Sequence, residues 1–432
     1  MKPKGILGIV IVLLLALPLS GWGQTDAKTK SITLTAKEVS LGKFHPGGDV
    51  ASLVVSPDSK RVAYGAQKGG KQLVVVDGQE GSEHDWIQAG TIIFSPDSKR
   101  VAYIAGKGEK WLVVVDGQEG TEYDGTAGPI FTPDSKRVAY VAGKGGKQLV
   151  VVDGQEGKAY DAIGAGTIIF SPDSKRVAYL AQKGGKWLVV IDGQEGSEYD
   201  VIGAGTIIFS PDSKRVAYVP RKGGKQLVVV DGQEGTEYDG IAAGIPIFSP
   251  DSKRVAYLAQ KGGKQLVVVD GQEGREYDGI PAGVLIFSPD SKRVAYVTGK
   301  GGKWLVVVDG QEGTEYDVVG TVLIFSPDGK RVAYVAGKGG KWLVVVDGQE
   351  GSEYDGIMKG GFIFSPDSKR VAYAAQKGEK WLVVVDGQEG GEYDVILRGS
   401  KLVFDSSDSL HALVSAGSGP EFFRVEIKIE EK

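Results

Sequence analysis

Residues 94–123, FSPDSKRVAYIAGKGEKWLVVVDGQEGTEY, decide the fold, because most of the chain consists of copies of this stretch. Its Ser-Pro-Asp corner, or a Thr-Pro-Asp variant, recurs at a spacing of 37 to 39 residues, starting at Ser56, Ser95, Thr132, Ser171, Ser210, Ser249, Ser288, Ser326 and Ser365. A period in this range is typical of repeat architectures. The 432 residues therefore predict one repetitive domain and not two or three independent ones.

Each unit contains four short segments with strand character, separated by turn residues. In the unit quoted above these are residues 91–94 before the corner, residues 101–105, the valine-rich residues 111–115, and residues 122–124 after the DGQEG turn. Four antiparallel strands in about 40 residues are typical of one blade of a β-propeller. The two middle strands are apolar at successive positions, which indicates that neighbouring blades cover both of their faces.

The ends of the chain predict the number of blades. Residues 401–405, 410–415 and 421–429 resemble the first three strands of a tenth unit that lacks its fourth strand. Residues 31–39, in an N-terminal segment spanning 24–49, have the pattern of an outer strand. We predict that this strand closes a single all-β propeller of ten four-stranded antiparallel blades over residues 50–432, with nine blades as the alternative. Two smaller tandem propellers are disfavoured, because no linker interrupts the repeats.

The first 23 residues have the layout of a secretory signal peptide. Lys2 and Lys4 precede an apolar run over residues 6–19, and small residues follow. The run is shorter than the roughly 20 residues that cross a bilayer. We therefore expect cleavage and export to the periplasm or the cell exterior, with no membrane span in the mature chain; an uncleaved anchor is the alternative. The chain has no cysteine, which excludes disulfides and a lipid-modified cysteine.

The charge balance argues against a nucleic-acid partner. Removing Lys2 and Lys4 from the 51 lysines and arginines leaves 49 cations against 55 aspartates and glutamates, a net charge of −6. Nucleic-acid-binding domains usually present a basic face. We expect an exported monomer whose partner is a protein or an anionic polymer.

The sequence offers no arrangement of residues that indicates catalysis, a cofactor or a metal. The DGQEG turns lack the ligand spacing of a calcium loop, the Gly-Lys-Gly-Gly-Lys hairpins lack the strand-to-helix context of a phosphate loop, and no GxSxG motif occurs. The histidines, His45, His84 and His411, lie far apart in the sequence. An enzyme with a site at the channel mouth, and a structural protein without a ligand, are the alternatives to a binding scaffold.

The segment FSPDSKRVAY resembles the PD40, or WD40-like, repeat of TolB-type β-propellers, and the resemblance extends over residues 50–415. It implies that the SPD corner is structural and joins the innermost strand of a blade to the second strand. It also implies a secreted or periplasmic interaction scaffold, while saying little about activity. The N-terminal domain of TolB and the hydrolase domains that follow related propellers are not expected in this chain.

The copies differ in length only in the connector between the fourth strand of one blade and the first strand of the next. Strand directions place these connectors on one face of the propeller, where loops on a rigid scaffold commonly carry function. The unusual residues on this face are Trp86, Arg221, Met358, Lys359, Arg398 and Lys401. All but Arg221 fall on one arc of a closed ten-blade ring. A tryptophan near cations could bind an anionic glycan, a peptide carboxylate or a partner protein; drift in the end repeats, with Trp86 packed under a loop, is the alternative.

One strand position alternates between two residue types. The position of Trp111 holds Gln72, Trp111, Gln148, Trp187, Gln226, Gln265, Trp304, Trp342 and Trp381 in successive units. We interpret it as a packing position between neighbouring blades, with a carbohydrate-binding tryptophan platform as the alternative.

Overall fold

The computed structural model describes residues 39–397, 401–415 and 422–430, without the side chains of residues 242–245 and 422. The chain divides into two compact units, Met1–Leu41 and Gly42–Lys432. Only residues 39–41 of the first unit are described, and all three are exposed. The predicted signal peptide and residues 31–38 of the predicted closing strand lie outside the described residues.

The second unit is all-β, and its strands form ten successive antiparallel blades, as the repeat predicts. Blade 1 follows a 3₁₀ helix (Val50–Ser52) and contains β1 (Val54–Val55), β2 (Val62–Lys68), β3 (Lys71–Val76) and β4 (Gln79–Glu80). Blade 2 contains β5 (Trp86–Ile87), β6 (Ile93–Phe94), β7 (Val101–Lys107), β8 (Lys110–Val115) and β9 (Gln118–Glu119). Blade 3 contains β10 (Gly125–Phe131), β11 (Val138–Lys144), β12 (Lys147–Val152) and β13 (Gln155–Tyr160).

Blades 4 to 6 follow the same order. Blade 4 contains β14 (Ala162–Ile163), β15 (Ile169–Phe170), β16 (Val177–Lys183), β17 (Lys186–Ile191) and β18 (Gln194–Glu195). Blade 5 contains β19 (Val201–Ile202), β20 (Ile208–Phe209), β21 (Val216–Tyr218), β22 (Pro220–Lys222), β23 (Lys225–Gln226), β24 (Val229–Val230) and β25 (Gln233–Glu234). Blade 6 contains β26 (Gly240–Phe248), β27 (Val255–Lys261), β28 (Lys264–Val269) and β29 (Gln272–Tyr277).

Blades 7 to 10 complete the series. Blade 7 contains β30 (Ile286–Phe287), β31 (Val294–Lys300), β32 (Lys303–Val308) and β33 (Gln311–Glu312). Blade 8 contains β34 (Val318–Phe325), β35 (Val332–Lys338), β36 (Lys341–Val346) and β37 (Gln349–Glu350). Blade 9 contains β38 (Gly356–Phe364), β39 (Val371–Lys377), β40 (Lys380–Val385) and β41 (Gln388–Tyr393). Blade 10 contains β42 (Val395–Ile396), β43 (Val403–Ser406), β44 (Ser409–Ser415) and β45 (Phe422–Lys428).

The fourth strand begins earlier than the sequence predicts. In blade 2 it starts at Gln118, inside the segment that we expected to be a five-residue turn. The turn has only two central residues, because Asp116 and Gly117 both adopt positive φ, at 52° and 78°. Positive φ at both positions is what a type I′ hairpin requires, and its twist matches that of the flanking strands.

Blade 5 differs from the other blades because a proline replaces a small residue in its second strand. Pro220 lacks an N–H group, and here the second strand is divided into β21 and β22. The carbonyl of Pro220 still accepts a hydrogen bond from the N–H of Leu227 at 3.2 Å. The two halves therefore stay aligned with the third strand, which is divided as well.

Apolar clusters join each blade to the next. Val113 of blade 2, for example, is fully buried against Tyr140 and Leu149 of blade 3. At the start of the series, Phe44 stacks on Tyr64 of blade 1 with 4.4 Å between the ring centroids. The middle strands are thus buried on both faces, as their continuous apolar sequences predict.

Candidate functional site

Each connector begins with an aspartate that ties two blades together. Asp355 accepts hydrogen bonds from Nζ of Lys341 in blade 8 at 2.5 Å and from the N–H of Gly378 in blade 9 at 2.7 Å. The Lys341 ammonium, followed by the Gly378 N–H, holds the pKa of Asp355 below its usual range. We call this side of the molecule, with the connectors and the hairpins between strands two and three, the connector face. The same contacts occur at Asp85, Asp124, Asp161, Asp200, Asp239, Asp278 and Asp317.

A repeated arginine joins the blades on the opposite side, the corner face, which carries the SPD corners and the turns between strands three and four. Nε of Arg331 donates a hydrogen bond to Asp347 at 2.8 Å. The same guanidinium lies 5.4 Å from the centroid of the Phe364 ring in blade 9. The repeated connector aspartates and corner arginines therefore bind neighbouring blades, which explains their recurrence without a ligand.

Some cations outside this repeated pattern also join blades, as Lys158 and Arg275 do by pairing with Glu195 and Glu312 of the next blade, whereas others form no ion pair. Within residues 39–397, 401–415 and 422–430, the lysines and arginines without an ion pair are Lys43, Arg221, Lys359, Lys401 and Lys428. Three of the four candidate cations from the sequence, Arg221, Lys359 and Lys401, belong to this set. Arg398, the fourth, lies outside the described residues.

A cleft on the connector face between blades 8 and 9 contains two of the candidates, Met358 and Lys359. The cavity has a volume of about 410 Å³, within the usual range for ligand pockets. Its walls are mostly apolar, and its side-chain polar groups are the Thr321 hydroxyl, the Lys359 ammonium and the indole N–H of Trp342. The apolar lining side chains are those of Val322, Val335, Trp342, Ile357, Met358 and Phe362.

The floor of the cleft includes Gly356 and Val335, two small residues that also occur at equivalent positions of other blades, as Gly240 and Val219 do. The connector from Asp355 to Phe364 has the same length as the one that leads from blade 4 to blade 5, so its positions can be matched one to one. Gly356 stands where blade 5 has Val201, and Val335 stands where blade 4 has Leu180. A larger side chain at position 356, such as the valine of blade 5, would occupy part of this space.

The rim of the cleft is built from residues larger than their equivalents. Met358 and Lys359 replace Gly203 and Ala204 of the matched connector. Met358 is half-buried and packs against the apolar cluster between blades 9 and 10, whereas Lys359 is exposed. The connector therefore anchors one side chain and leaves a cation at the mouth of an apolar cavity.

The other candidates do not line this cleft. Trp86 is half-buried in blade 2, where it lies edge-on to Trp111 with 4.2 Å between ring centroids and covers Gly106. Arg221 is exposed on β22 of blade 5, and Lys401 is exposed in blade 10. The structure brings Met358 and Lys359 together, and it places Trp86 in a packed seam and not on an open surface.

Sequence reasoning missed the residues that make the cavity. Trp342 was assigned to the alternating strand position, and Val335 and Gly356 look like ordinary members of the repeat. The same pair of residues, Val219 and Gly240, occurs between blades 5 and 6, so the floor of the cleft carries no signal in the sequence. Only the unusual rim residues Met358 and Lys359 were detectable.

The alternating glutamines and tryptophans have different contacts. The Oε1 atom of Gln226 accepts a hydrogen bond from the N–H of Ile241 in the next blade at 2.7 Å. Gln72, Gln148 and Gln265 make the equivalent bond. Trp187 instead packs against the apolar cluster between blades 4 and 5. Both residue types thus join neighbouring blades.

A tyrosine pair lies at successive blade interfaces, and one interface departs from the pattern. Tyr160 and Tyr179 meet edge to face with 6.4 Å between ring centroids. At the first interface His84 takes the place of the leading tyrosine and lies 6.0 Å from Tyr103. Burial lowers the pKa of the His84 imidazole, and no group within the described part of the chain bonds its Nε2 atom.

Two further observations concern chemistry. Nδ1 of His411 lies 2.8 Å from both carboxylate oxygens of Asp405 in blade 10. Across the described residues, no group of three or more histidine, cysteine, aspartate or glutamate side chains is placed to hold a metal ion. The same portion of the chain contains no helix with the length and apolar character needed to cross a membrane.

Comparison with known proteins finds no matching family model and no matching curated protein. Among solved structures, a crystal structure of the eukaryotic initiation factor is 14% identical over 86% of this chain and 98% of its own, with a TM-score of 0.35. TolB from Acinetobacter baumannii is 17% identical over 60% of this chain and 77% of its own, with a TM-score of 0.25. The β-propeller domain of the Trilobed protease from Pyrococcus furiosus is 14% identical over 61% and 94%, with a TM-score of 0.28. At these scores the fold assignment rests on the ten blades themselves.

Proposed function

We propose that this ten-bladed β-propeller is an exported binding scaffold of the TolB-like PD40 type, and that it binds a protein partner in the cleft between blades 8 and 9. The observation that carries the proposal is the unpaired Lys359 at the mouth of an apolar cavity, in a molecule whose repeated cations bind neighbouring blades. For export, the supporting feature is the signal-like sequence of residues 1–23. Export and cleavage are tested by sequencing the N-terminus of the chain recovered from the periplasm or the medium. An intact Met1 there would contradict cleavage.

The lining of the cleft favours a peptide segment over a polysaccharide. A sugar chain offers many hydroxyl groups and needs several polar partners, whereas the side chains here supply one hydroxyl, one ammonium and one indole N–H. An aliphatic or aromatic side chain can fill the space beside Trp342 and Phe362. A carboxylate close to it in sequence can then pair with Lys359. The expected ligand is therefore an apolar residue next to an aspartate or glutamate.

Selection from a displayed library of random heptapeptides tests this proposal. The mature chain is the bait, and the Gly356→Val variant, in which the cleft is filled by the residue of blade 5, is used for counter-selection. The Cβ of residue 356 would lie 3.2 Å from the flexible end of Gln376, so the variant is expected to fold. Gly240→Val places the same substitution at the matched position of blade 6 and serves as control.

We expect enriched peptides that pair an apolar residue with an acidic one, and loss of binding in Gly356→Val alone. Lys359→Glu should weaken acidic peptides about tenfold or more and favour basic ones, whereas Lys401→Glu, at an unpaired lysine outside the cleft, should have no effect. Equal enrichment on wild type and Gly356→Val would refute the site. Displacement of the peptides by an anionic oligosaccharide that binds more tightly would assign the cleft to a glycan instead.

A further inference from the structure

Within the described part of the chain, the outer strand of blade 10 has an unpaired edge. β45 pairs with β44 along its whole length, from Ser409 opposite Lys428 to Ser415 opposite Phe422. In blades 1 to 9 the third strand is covered by a fourth strand, but among the described residues no strand pairs with the other side of β45. Such an edge presents backbone N–H and C=O groups that another strand can bond.

The hydrogen-bond phase identifies which residues present those groups. The N–H of Ile429 donates to the carbonyl of Asp408 at 2.7 Å, so Ile429 points its backbone groups toward β44. Because this direction alternates along an antiparallel ladder, Arg424, Glu426 and Lys428 point theirs toward the free edge. A strand added at this edge would bond these residues.

The side chains of the same residues form a row of alternating charge. Arg424, Glu426, Lys428 and Glu430 are all exposed. Val425 and Ile427, between them, are half-buried and pack against the apolar cluster of blades 9 and 10. The strand therefore has one face that belongs to the core and one face that reads plus, minus, plus, minus.

This row is complementary to itself when two copies run antiparallel. If Ile427 lies opposite Ile427 of a second copy, Glu426 faces Lys428 and Arg424 faces Glu430, on both sides of the centre. The phase of the outward-pointing backbone groups matches this register, since all four residues lie at alternate positions. Opposite charges directly across a strand pair are favourable.

The neighbouring registers are less favourable. With Glu426 opposite its own copy, Arg424 would face Lys428, and every charged contact would be between like charges. With Val425 at the centre, Arg424 faces Glu426 but Lys428 faces Phe422. The sequence of β45 thus favours the register centred on Ile427 over its alternatives.

We propose that β45 is an interface through which two copies of this chain associate, edge to edge and antiparallel, about Ile427. Charged residues on an edge strand commonly prevent pairing, because a neutral strand would desolvate them without supplying a partner, whereas the reversed copy of this row supplies an opposite charge at each position. Arg424 lies 3.5 Å from Glu426 and 3.9 Å from Asp405 within the chain, and such exposed contacts are weak enough to be exchanged. The second copy takes the edge predicted above for residues 31–39, so a dimer at this edge excludes closure by that strand and replaces the monomer expected from the sequence.

Charge exchange tests the register. Glu426→Lys places two lysines opposite each other at both ends of the interface, and Lys428→Glu places two glutamates there. The mature wild-type chain is expected to sediment as a dimer, and each single variant is expected to dissociate at a concentration about tenfold higher or more. The double variant Glu426→Lys/Lys428→Glu restores opposite charges and should dimerise like the wild type.

A single cysteine provides an independent readout, because the chain has none of its own. Ile427→Cys places two thiols directly opposite at the centre, where oxidation should link them into a covalent dimer. Val403 is exposed on β43, at the opposite edge of the same sheet. The Val403→Cys variant should therefore stay monomeric under the same oxidation, as seen on a non-reducing gel. Three results would overturn the proposal. They are a wild-type chain that stays monomeric at about 100 micromolar, a double variant that dimerises as weakly as the single variants, and equal cross-linking of the two cysteine variants.

Discussion

Replacing His84 with tyrosine should stabilise the first blade interface. Seven later interfaces carry tyrosine at this position, each edge to face with a tyrosine of the next blade at 6.0 to 6.4 Å between centroids. His84 is 3% exposed, its Nε2 atom is buried without a hydrogen-bond partner in the described structure, and the same holds for the Tyr103 hydroxyl. His84→Tyr therefore restores a pair that the surrounding repeat already accommodates.

The expected gain combines two effects. A buried polar atom without a partner costs about 1–3 kcal/mol, and an edge-to-face aromatic pair contributes about 0.5–1.5 kcal/mol beyond its buried area. The equivalent of Glu119 accepts a hydrogen bond from the tyrosine hydroxyl at three interfaces, as Glu234 does from Tyr199 at 2.9 Å. The hydroxyls of Tyr123, Tyr238, Tyr316 and Tyr354 have no partner in the described structure, so the gain rests mainly on the aromatic pair. Allowing for side-chain ordering, we expect His84→Tyr to stabilise the interface by about 1–2 kcal/mol at pH 8.

The same substitution should remove a dependence on pH. Burial is the main cause of the lowered pKa of His84; Glu119 and Asp85 partly oppose it, while Lys107 and Lys71 add to it. An unfolded histidine binds a proton near pH 6.5. As the pH falls through that value, the unfolded chain takes up a proton that the folded chain does not, so stability is lost until the pH drops below the folded pKa.

Hydrogen exchange resolves this interface from the rest of the molecule. The amides of Gln72 and His84 bond each other's carbonyls at 2.9 and 2.7 Å, so protection of residues 72–84 reports on the first interface. Protection should fall between pH 7 and pH 5 in the wild type, after correction for intrinsic exchange, and not in His84→Tyr. Tyr160→His, made beside the equivalent Gln148, should introduce the same loss at the third interface. An NMR titration that gave His84 a pKa at or above 6.5, or a His84→Tyr chain no better protected at pH 8, would refute the reasoning.

Two further substitutions test how the blades are held together. Gly106→Ala should destabilise blade 2 by about 1–3 kcal/mol, because the new Cβ would lie 1.8 Å from the Trp86 ring. Gly143→Ala, at the matched position of blade 3, is the control, since its Cβ would have no atom nearer than 3.6 Å. Urea unfolding followed by tryptophan fluorescence compares the two variants, and equal losses of stability would contradict the packing argument. Gln226→Ala should leave the N–H of Ile241 without its acceptor, at a cost of about 1–3 kcal/mol. The measurement is hydrogen exchange of the Ile241 amide, which should become faster; an unchanged exchange rate would mean that the bond contributes nothing to stability.

The repeat made the blades predictable because each unit carries its own turn chemistry. The corner at Ser95, the glycine hairpin near Gly108 and the valine-rich third strand fix three strands from local sequence alone. The fourth strand was misplaced because DGQEG reads as a loop. The positive φ values of Asp116 and Gly117, which end the turn after two residues, do not follow from composition. Pro220 is visible in the sequence, but the division of the second strand at this residue was not predicted.

The candidate site was predictable in part, for a related reason. Connectors vary in sequence, so Met358 and Lys359 stood out, and the structure places both at one cleft. The placement of Trp86 could not be read in the same way. Whether its indole is exposed depends on Gly106, which lies opposite it across the sheet and 20 residues later in the chain. The floor of the cavity includes Val335 and Gly356, which are common residues at their repeat positions and therefore give no distinctive signal in the sequence.

A repeat that satisfies its own polar groups gives meaning to the residues it leaves unsatisfied. The Asp355 carboxylate accepts hydrogen bonds from two neighbouring blades, and its counterparts at the other connectors have the equivalent partners. This structural role explains why the aspartate recurs. Selection for folding alone can keep these residues, but it does not account for an unpaired cation at Lys359 or a self-complementary row on β45. The two surfaces lie on different parts of the chain and have different chemistry. Loss of peptide binding in Gly356→Val and loss of self-association in Glu426→Lys should therefore occur independently, and a variant that lost both together would indicate misfolding and not a site.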